Sequence, residues 1–155
     1  MSDSVMRTYA ISGVLLLLAA CSGGEPPRVG ELVAPAQAST DFGDLRVHYN
    51  ALPTMSMSEA VAQKYGVAKD PGTAMVFVGM RRVVEGNEFN AEGDVAGRVF
   101  DLQGKRQPIV FSAVDIGEYT DHIGIVEVGA RDSYRFEVGA KVDGRSHIVK
   151  FQRNF

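Results

Sequence analysis

A second cysteine is missing from this chain of 155 residues. With Cys21 alone no intrachain disulfide can form, so the fold has to rest on apolar packing. A hydrophobic run of membrane-spanning length is missing too. The apolar stretch Tyr9 to Leu18 is about half of the roughly twenty residues a helix needs to cross hydrocarbon, and Ser12 and Gly13 interrupt it. Clustered basic residues are also absent: the formal net charge is −3, with Lys and Arg scattered along the chain. That excludes the continuous basic segment by which a sequence usually announces nucleic-acid binding, and no nucleic-acid partner is expected. No G-x-S-x-G elbow, G-x-G-x-x-G turn or phosphate-binding Gly-Lys-Ser/Thr run occurs, so the commonest nucleophile and nucleotide sites have no residues to carry them.

What is present begins with an address. Arg7 and the amino terminus supply positive charge, the apolar stretch follows, and Ala19 and Ala20 are small enough for a processing enzyme. Leu18-Ala19-Ala20-Cys21 resembles a bacterial lipobox, in which Cys21 acquires a diacylglyceryl thioether and the chain is cut on its amino side. Ala36-Gln37-Ala38 offers a rival A-x-A site, but it lies well past the apolar core and beyond Pro26, Pro27 and Pro35. Residues 1–20 are thus expected to be a lipoprotein signal peptide. Two or three palmitate-like acyl chains would hold the mature protein on a bilayer, since each buried methylene contributes about 0.8 kcal/mol. Ser22 stands where an Asp would signal retention at the inner membrane, which favours the outer membrane facing the periplasm. Residues 21–40 carry Gly23-Gly24, Pro26-Pro27 and Pro35 without periodicity and read as a flexible tether. Residues 41–155 remain for one domain, long enough to bury a core without a disulfide or a metal.

That domain reads as all-β. Leu45, Val47, Tyr49 and Ala51 alternate with Asp44, Arg46, His48 and Asn50, the pattern of a half-buried strand. Ser58 as N-cap, Glu59 in the first turn and Gly66 at the end predict one short helix. Strand-like runs follow over 74–82, 94–102, 108–116, 122–128, 133–142 and 147–152, and Asp143-Gly144 predicts a hairpin between the last two. About seven strands in a chain of this size point to an immunoglobulin-like antiparallel β-sandwich. A closed barrel is the alternative.

Phe42-Gly43-Asp44, then Val47-His48-Tyr49-Asn50-Ala51-Leu52-Pro53, Ala62-x-x-Tyr65-Gly66-Val67 and the terminal Phe151-Gln152-x-x-Phe155 together resemble the domain-of-unknown-function 4426 family, across the whole of residues 41–155. The resemblance implies a small exported β-rich protein of Gram-negative bacteria and brings no catalytic residues with it. Two departures stand out: Tyr119-Thr120-Asp121-His122 replaces the family's usual aromatic pair, and the N-terminus looks lipidated where many relatives have a plain secretory signal.

Candidate sites are few. His48 and Asn50 share a polar strand face, and with Tyr49 they could rim a recognition surface; a solvated or loop-clamping role at the Leu52-Pro53 turn explains the segment better, since it needs no ligand. Met55 and Met57 place two thioethers close in sequence, and soft sulfur with the His48 imidazole suits Cu(I). Methionines also fill core gaps, and the three histidines lack zinc-like spacing. Asp115 with Glu118, or Asp94 with Asp101, could serve a hydrolase as a carboxylate pair. Arg81-Arg82 and Arg131-Asp132 read as charges guarding strand edges. The expectation is therefore a lipid-anchored binding or assembly module with an envelope protein partner and no cofactor, with copper handling or a carboxylate-pair enzyme as alternatives.

Overall fold

A computed structural model describes residues 38–155. The segment expected to be a signal peptide, Cys21 and most of the expected tether lie outside the described residues. Among the described residues ten strands, one α-helix and a 3-10 turn follow one another: β1 (Ala38–Phe42), β2 (Leu45–Pro53), the 3-10 turn (Thr54–Ser56), α1 (Glu59–Tyr65), β3 (Thr73–Val84), β4 (Asn87–Asn90), β5 (Asp94–Phe100), β6 (Arg106–Ile109), β7 (Phe111–Asp115), β8 (Thr120–Glu127), β9 (Ser133–Val142) and β10 (Arg145–Asn154). They form two antiparallel sheets, one ordered β1-β2-β3-β8-β7 with β4 extending β3, the other ordered β10-β9-β5-β6. The expected all-β sandwich is what forms; the described residues close no barrel.

Three details differ from the sequence expectation of about seven strands. The chain enters β1 at Ala38, within the stretch assigned to the tether, and pairs Ala38 with Tyr49 through Phe42 with Leu45. The run 108–116 is two strands rather than one. Ile109 is buried with β5's sheet, Val110 is 80% exposed, and Phe111 begins pairing with Gly124 of the other sheet. A continuous apolar run cannot reveal that its halves belong to opposite layers, because each half obeys the same alternation. The third is the β3–β4 hairpin, whose turn Glu85-Gly86 puts both residues at positive φ (52° and 81°). Asp143-Gly144 does the same at 50° and 74° and joins β9 to β10 as expected. Asp-Gly announces such a primed turn and Glu-Gly does not.

The alternation read in β2 holds from Leu45 to Tyr49 and breaks at Asn50, which is buried next to Ala51. Leu45, Val47 and Ala51 are buried between the sheets with Val76, Val78 and Met80 of β3. The opposing sheet contributes Val99, Phe136, Val138 and Val149. An aromatic column runs through this interior: Tyr49 stacks on Phe151 (centroids 4.9 Å), Phe151 on Phe136 (4.8 Å, 7° between planes), and Phe155 meets Tyr134 and Phe136 edge-on. Both phenylalanines of the terminal Phe151-x-x-x-Phe155 pattern are thus partly buried and packed against the core.

Helix α1 lies on the outer face of the larger sheet. The Ser58 hydroxyl accepts from the Val61 amide at 3.3 Å, and Gly66 ends the helix in the left-handed region at φ 64°. Ala62 and Tyr65 join Met57, Met75, Phe77 and Ile123 in a small second core beneath it.

Candidate functional site

On that same outer face, beside α1, the sheet carries polar groups in place of apolar ones. Arg81 of β3 is 6% exposed and Asp121 of β8 is 1% exposed. The Arg81 Nη2 donates to Asp121 Oδ1, and Nη1 donates to the Met80 carbonyl at 2.9 Å. The Tyr119 ring covers the guanidinium at 4.3 Å, and the Tyr65 hydroxyl donates to Asp121 Oδ2 at 3.1 Å. Both carboxylate oxygens and the cation's face are therefore occupied, which is the condition for burying such a pair without a large net penalty. Burial, the Asp121 charge and the bond to it push the Tyr65 phenol up to about 12, so it stays a donor at any physiological pH.

The rim of the cleft is a second charged group. The His48 Nε2 lies 3.1 and 3.0 Å from the two oxygens of Glu88 on β4, and Arg46 Nη1 donates to Glu88 Oε1 at 3.0 Å. Arg46 also grips Asp41 of β1 with both Nε and Nη2, at 2.6 and 2.8 Å. Burial raises the Glu88 pKa, but the hydrogen bonds and charges of Arg46 and His48 together outweigh it and hold the carboxyl below its ordinary value. The Tyr119 hydroxyl donates to the Glu88 carbonyl at 3.3 Å, tying rim to floor. Between them lies a shallow cleft of about 270 Å³, with Ile116 and Phe77 completing its walls.

His48, Tyr49 and Asn50 do not share one surface. His48 is on the rim. Tyr49 points inward, where it stacks on Phe151 and its hydroxyl lies 3.2 Å from Thr40 Oγ1. Asn50 is buried, and its Oδ1 accepts from Arg153 Nε and Nη2 at 3.3 Å and from the Ala51 amide at 2.9 Å. Met55 and Met57 diverge as well: Met57 is 3% exposed in the core under α1 and Met55 is 52% exposed. The thioethers therefore do not face one ion, and among the described residues no three His, Cys, Asp or Glu side chains group as a metal would need. Asp94 and Asp101 flank the length of β5, roughly 20 Å of strand, beyond the roughly 5–9.5 Å of a glycosidase pair. Asp115 accepts from the Thr120 hydroxyl at 2.8 Å at the β7–β8 turn.

Sequence reasoning missed the floor of the cleft. Arg81 was expected to guard an edge, yet β3 is an interior strand and Arg81 is buried in an ion pair. Only its neighbour Arg82 behaves as a surface charge, bonding Asp44 at 2.6 Å and Asp143 at 2.5 Å. Sequence showed a cation closing an apolar run; it could not show the carboxylate forty residues on. Tyr119-Thr120-Asp121-His122, noted as a departure from the family pattern, is the stretch that supplies the partner and the covering ring.

A larger concavity of about 570 Å³ opens at one end of the sandwich, among Asp70, Thr73, Asp101, Lys105, Glu127 and Tyr134. Two of its carboxylates are taken up in local turns: Asp70 Oδ1 accepts from the Gly72 amide and Asp101 Oδ1 from the Lys105 amide, each at 2.8 Å.

Solved structures share this architecture. A crystallised DUF4426 family protein of Pseudomonas aeruginosa PAO1 superposes with a TM-score of 0.64 at 22% identity, covering 77% of this chain and 94% of that one. A copper-bound variant of FetP from uropathogenic Escherichia coli strain F11 superposes with a TM-score of 0.55 at 10% identity, covering 79% and 91%. FetP as isolated after expression in the periplasm of E. coli gives 0.54 at 10%, covering 76% and 92%. At these identities the likeness is one of fold. No curated protein matches significantly. The family model described as a domain of unknown function, DUF4426, matches residues 39–155, every strand from β2 to β10 and all but the first residue of β1, and the chain belongs to that family.

Proposed function

We propose that this protein is a lipid-anchored recognition module of the cell envelope, held to a membrane through Cys21 and binding an envelope protein partner at the cleft between His48, Glu88, Tyr119 and Ile116. The observation that carries the reading is the cleft's floor. A desolvated Arg81–Asp121 pair, fixed from two sides by Tyr65 and Tyr119, is a rigid polar surface, and rigid polar and aromatic groups in a partly desolvated depression are what hot spots of recognition are built from. Its rim offers a partner the half-exposed carboxylate of Glu88 and the imidazole of His48. The lipobox at Leu18–Cys21 and the Ser22 that follows it support placement at the outer membrane, facing the periplasm.

A photo-crosslinking residue placed at Glu88 or Ile116 in living cells tests this directly. One discrete adduct is expected from both positions, and it should disappear in His48→Ala. Adducts no different from those at Glu59, exposed at the start of α1 and outside the cleft, would end the reading.

Copper handling is the second reading, favoured by the copper-bound state of FetP, which has the same fold at 10% identity. In this chain the donors singled out from sequence are apart, with Met57 sealed in the core and His48 held by Glu88, so no residue set among the described residues fits the ion. Titration of the purified protein with Cu(I) is expected to show no site tighter than micromolar. A stoichiometric tighter site would reverse the order of the two readings.

A further inference from the structure

The smaller sheet turns toward solvent a face whose charge is opposite to that of the chain. Register and exposure place five cations on it: Arg98 of β5, Arg106 of β6, Arg135 and Lys141 of β9, and Lys150 of β10. Only two carboxylates share it, Asp94 and Glu137. A face of net charge +3 thus sits on a protein of net charge −3. The scatter of Lys and Arg along the sequence hides this, because each strand contributes only one or two of them.

Two of the cations are already spoken for. Glu137 accepts from Arg98 Nε at 2.8 Å and lies 3.5 Å from Lys150 Nζ. Arg106 and Arg135 make no ion pair with a carboxylate among the described residues, and Arg135 rests over the Phe100 ring at 4.9 Å. Amid these charges the surface is apolar: Ile148 is 63% exposed and stands beside a shallow trough over Ala96 and Gly139. Cations grouped around an exposed aliphatic chain and a ring suit the boundary between headgroups and acyl chains, where the one is drawn to phosphate and the other leaves water.

We propose that this face docks on a bilayer of anionic phospholipid. The α1-side cleft lies on the outer face of the opposite sheet, so a domain lying this way presents the cleft away from the membrane. The docking proposal requires a bilayer within reach and is independent of what the cleft binds.

The test uses the full chain carrying an environment-sensitive fluorescent residue at position 148 or, as a control, at position 61 on α1. Vesicles of phosphatidylcholine with roughly 30% phosphatidylglycerol are compared with pure phosphatidylcholine. A blue shift at 148 is expected on the anionic vesicles alone, with none at 61, and about 0.5 M salt should abolish it. Arg106→Gln/Arg135→Gln should demand over tenfold more anionic lipid for the same shift, about fivefold per guanidinium. Both side chains are exposed and bond to no carboxylate, so an unchanged circular-dichroism melt will show that the variant folds. No shift at 148, an equal shift at 61, or a shift untouched by the double variant overturns the proposal. Pelleting with neutral vesicles reads the lipid anchor separately. Pelleting kept while the 148 shift fails removes the face and leaves the anchor; pelleting lost while the shift persists does the reverse. A shift on a single-stranded oligonucleotide without one on anionic vesicles assigns the face to nucleic acid and overturns it as well.

Discussion

At Arg81 and Asp121 the balance of forces is narrow, because each ion is tolerable in the sheet only while the other is present. Asp121→Ala leaves a guanidinium that is nearly desolvated and unpaired, and should destabilise the fold by about 3–5 kcal/mol in urea unfolding. Tyr65→Phe removes one hydrogen bond to a carboxylate and should cost only about 1–3 kcal/mol. If Asp121→Ala cost no more than Tyr65→Phe, the pair would not be the fixed floor described above. His122, next in sequence, points the opposite way. Its Nδ1 is buried without a hydrogen-bonding partner among the described residues, and burial lowers its pKa below the ordinary 6.5, while the charges of Asp121 and Asp94 and a bond with the Gly93 backbone raise it and Arg81 lowers it further. A lowered folded pKa means the unfolded chain takes up the proton first. The stability this neutral imidazole contributes is therefore complete above pH 6.5 and is lost as pH falls through the folded value. His122→Leu should flatten that acid limb of a melting-temperature profile and leave the alkaline side unchanged; an acid limb identical to wild type would assign it to other groups.

Elements are held in place here by glycines at close crossings as much as by turns. A Cβ on Gly93 would lie 2.3 Å from the Lys141 carbonyl oxygen, a backbone atom locked in the β5–β9 ladder. One on Gly124 would lie 2.4 Å from Ile109 Cγ2, a side-chain methyl where the chain passes from β6 to β7. Backbone cannot yield and a rotamer partly can, so Gly93→Ala should destabilise by about 3 kcal/mol or more and Gly124→Ala by about 1–3 kcal/mol. Equal melting temperatures for the two variants would contradict this ordering. Neither constraint shows in sequence, where Gly93 and Gly124 look like ordinary breaks in a strand pattern. What did show was whatever depends on neighbours along the chain: the β2 alternation, the Ser58 and Gly66 caps, the Asp143-Gly144 turn. What did not was whatever depends on layers. The crossing at Val110 separates two strands into two sheets without altering the local pattern, and the Glu85-Gly86 turn is recognisable only from the pairing of β3 with β4 around it.

For the whole molecule, the two outer faces differ in kind, and that difference was invisible in a residue count. The larger sheet spends its charges on closed pairs, Arg81 with Asp121 and Arg46 with Asp41 and Glu88, while the smaller one leaves Arg106 and Arg135, beside Phe100, without a carboxylate partner among the described residues. The candidate site was legible only at His48, because a strand residue can be assigned a face from its own sequence but a partner on another strand cannot. The N-terminal reading, in contrast, needs no fold at all. On the proposed reading, a thioether on Cys21 decides whether the domain works at a surface or in solution. Cys21→Ser should move the protein from the membrane fraction to the soluble fraction, provided its only strong hold on lipid is the acyl group. The basic face adds a weaker, salt-sensitive attraction, so washing membranes with about 0.5 M salt should strip the Cys21→Ser variant completely and leave wild type bound. Wild type released by salt alone would mean that charge, with no acyl chain, holds this protein to its membrane.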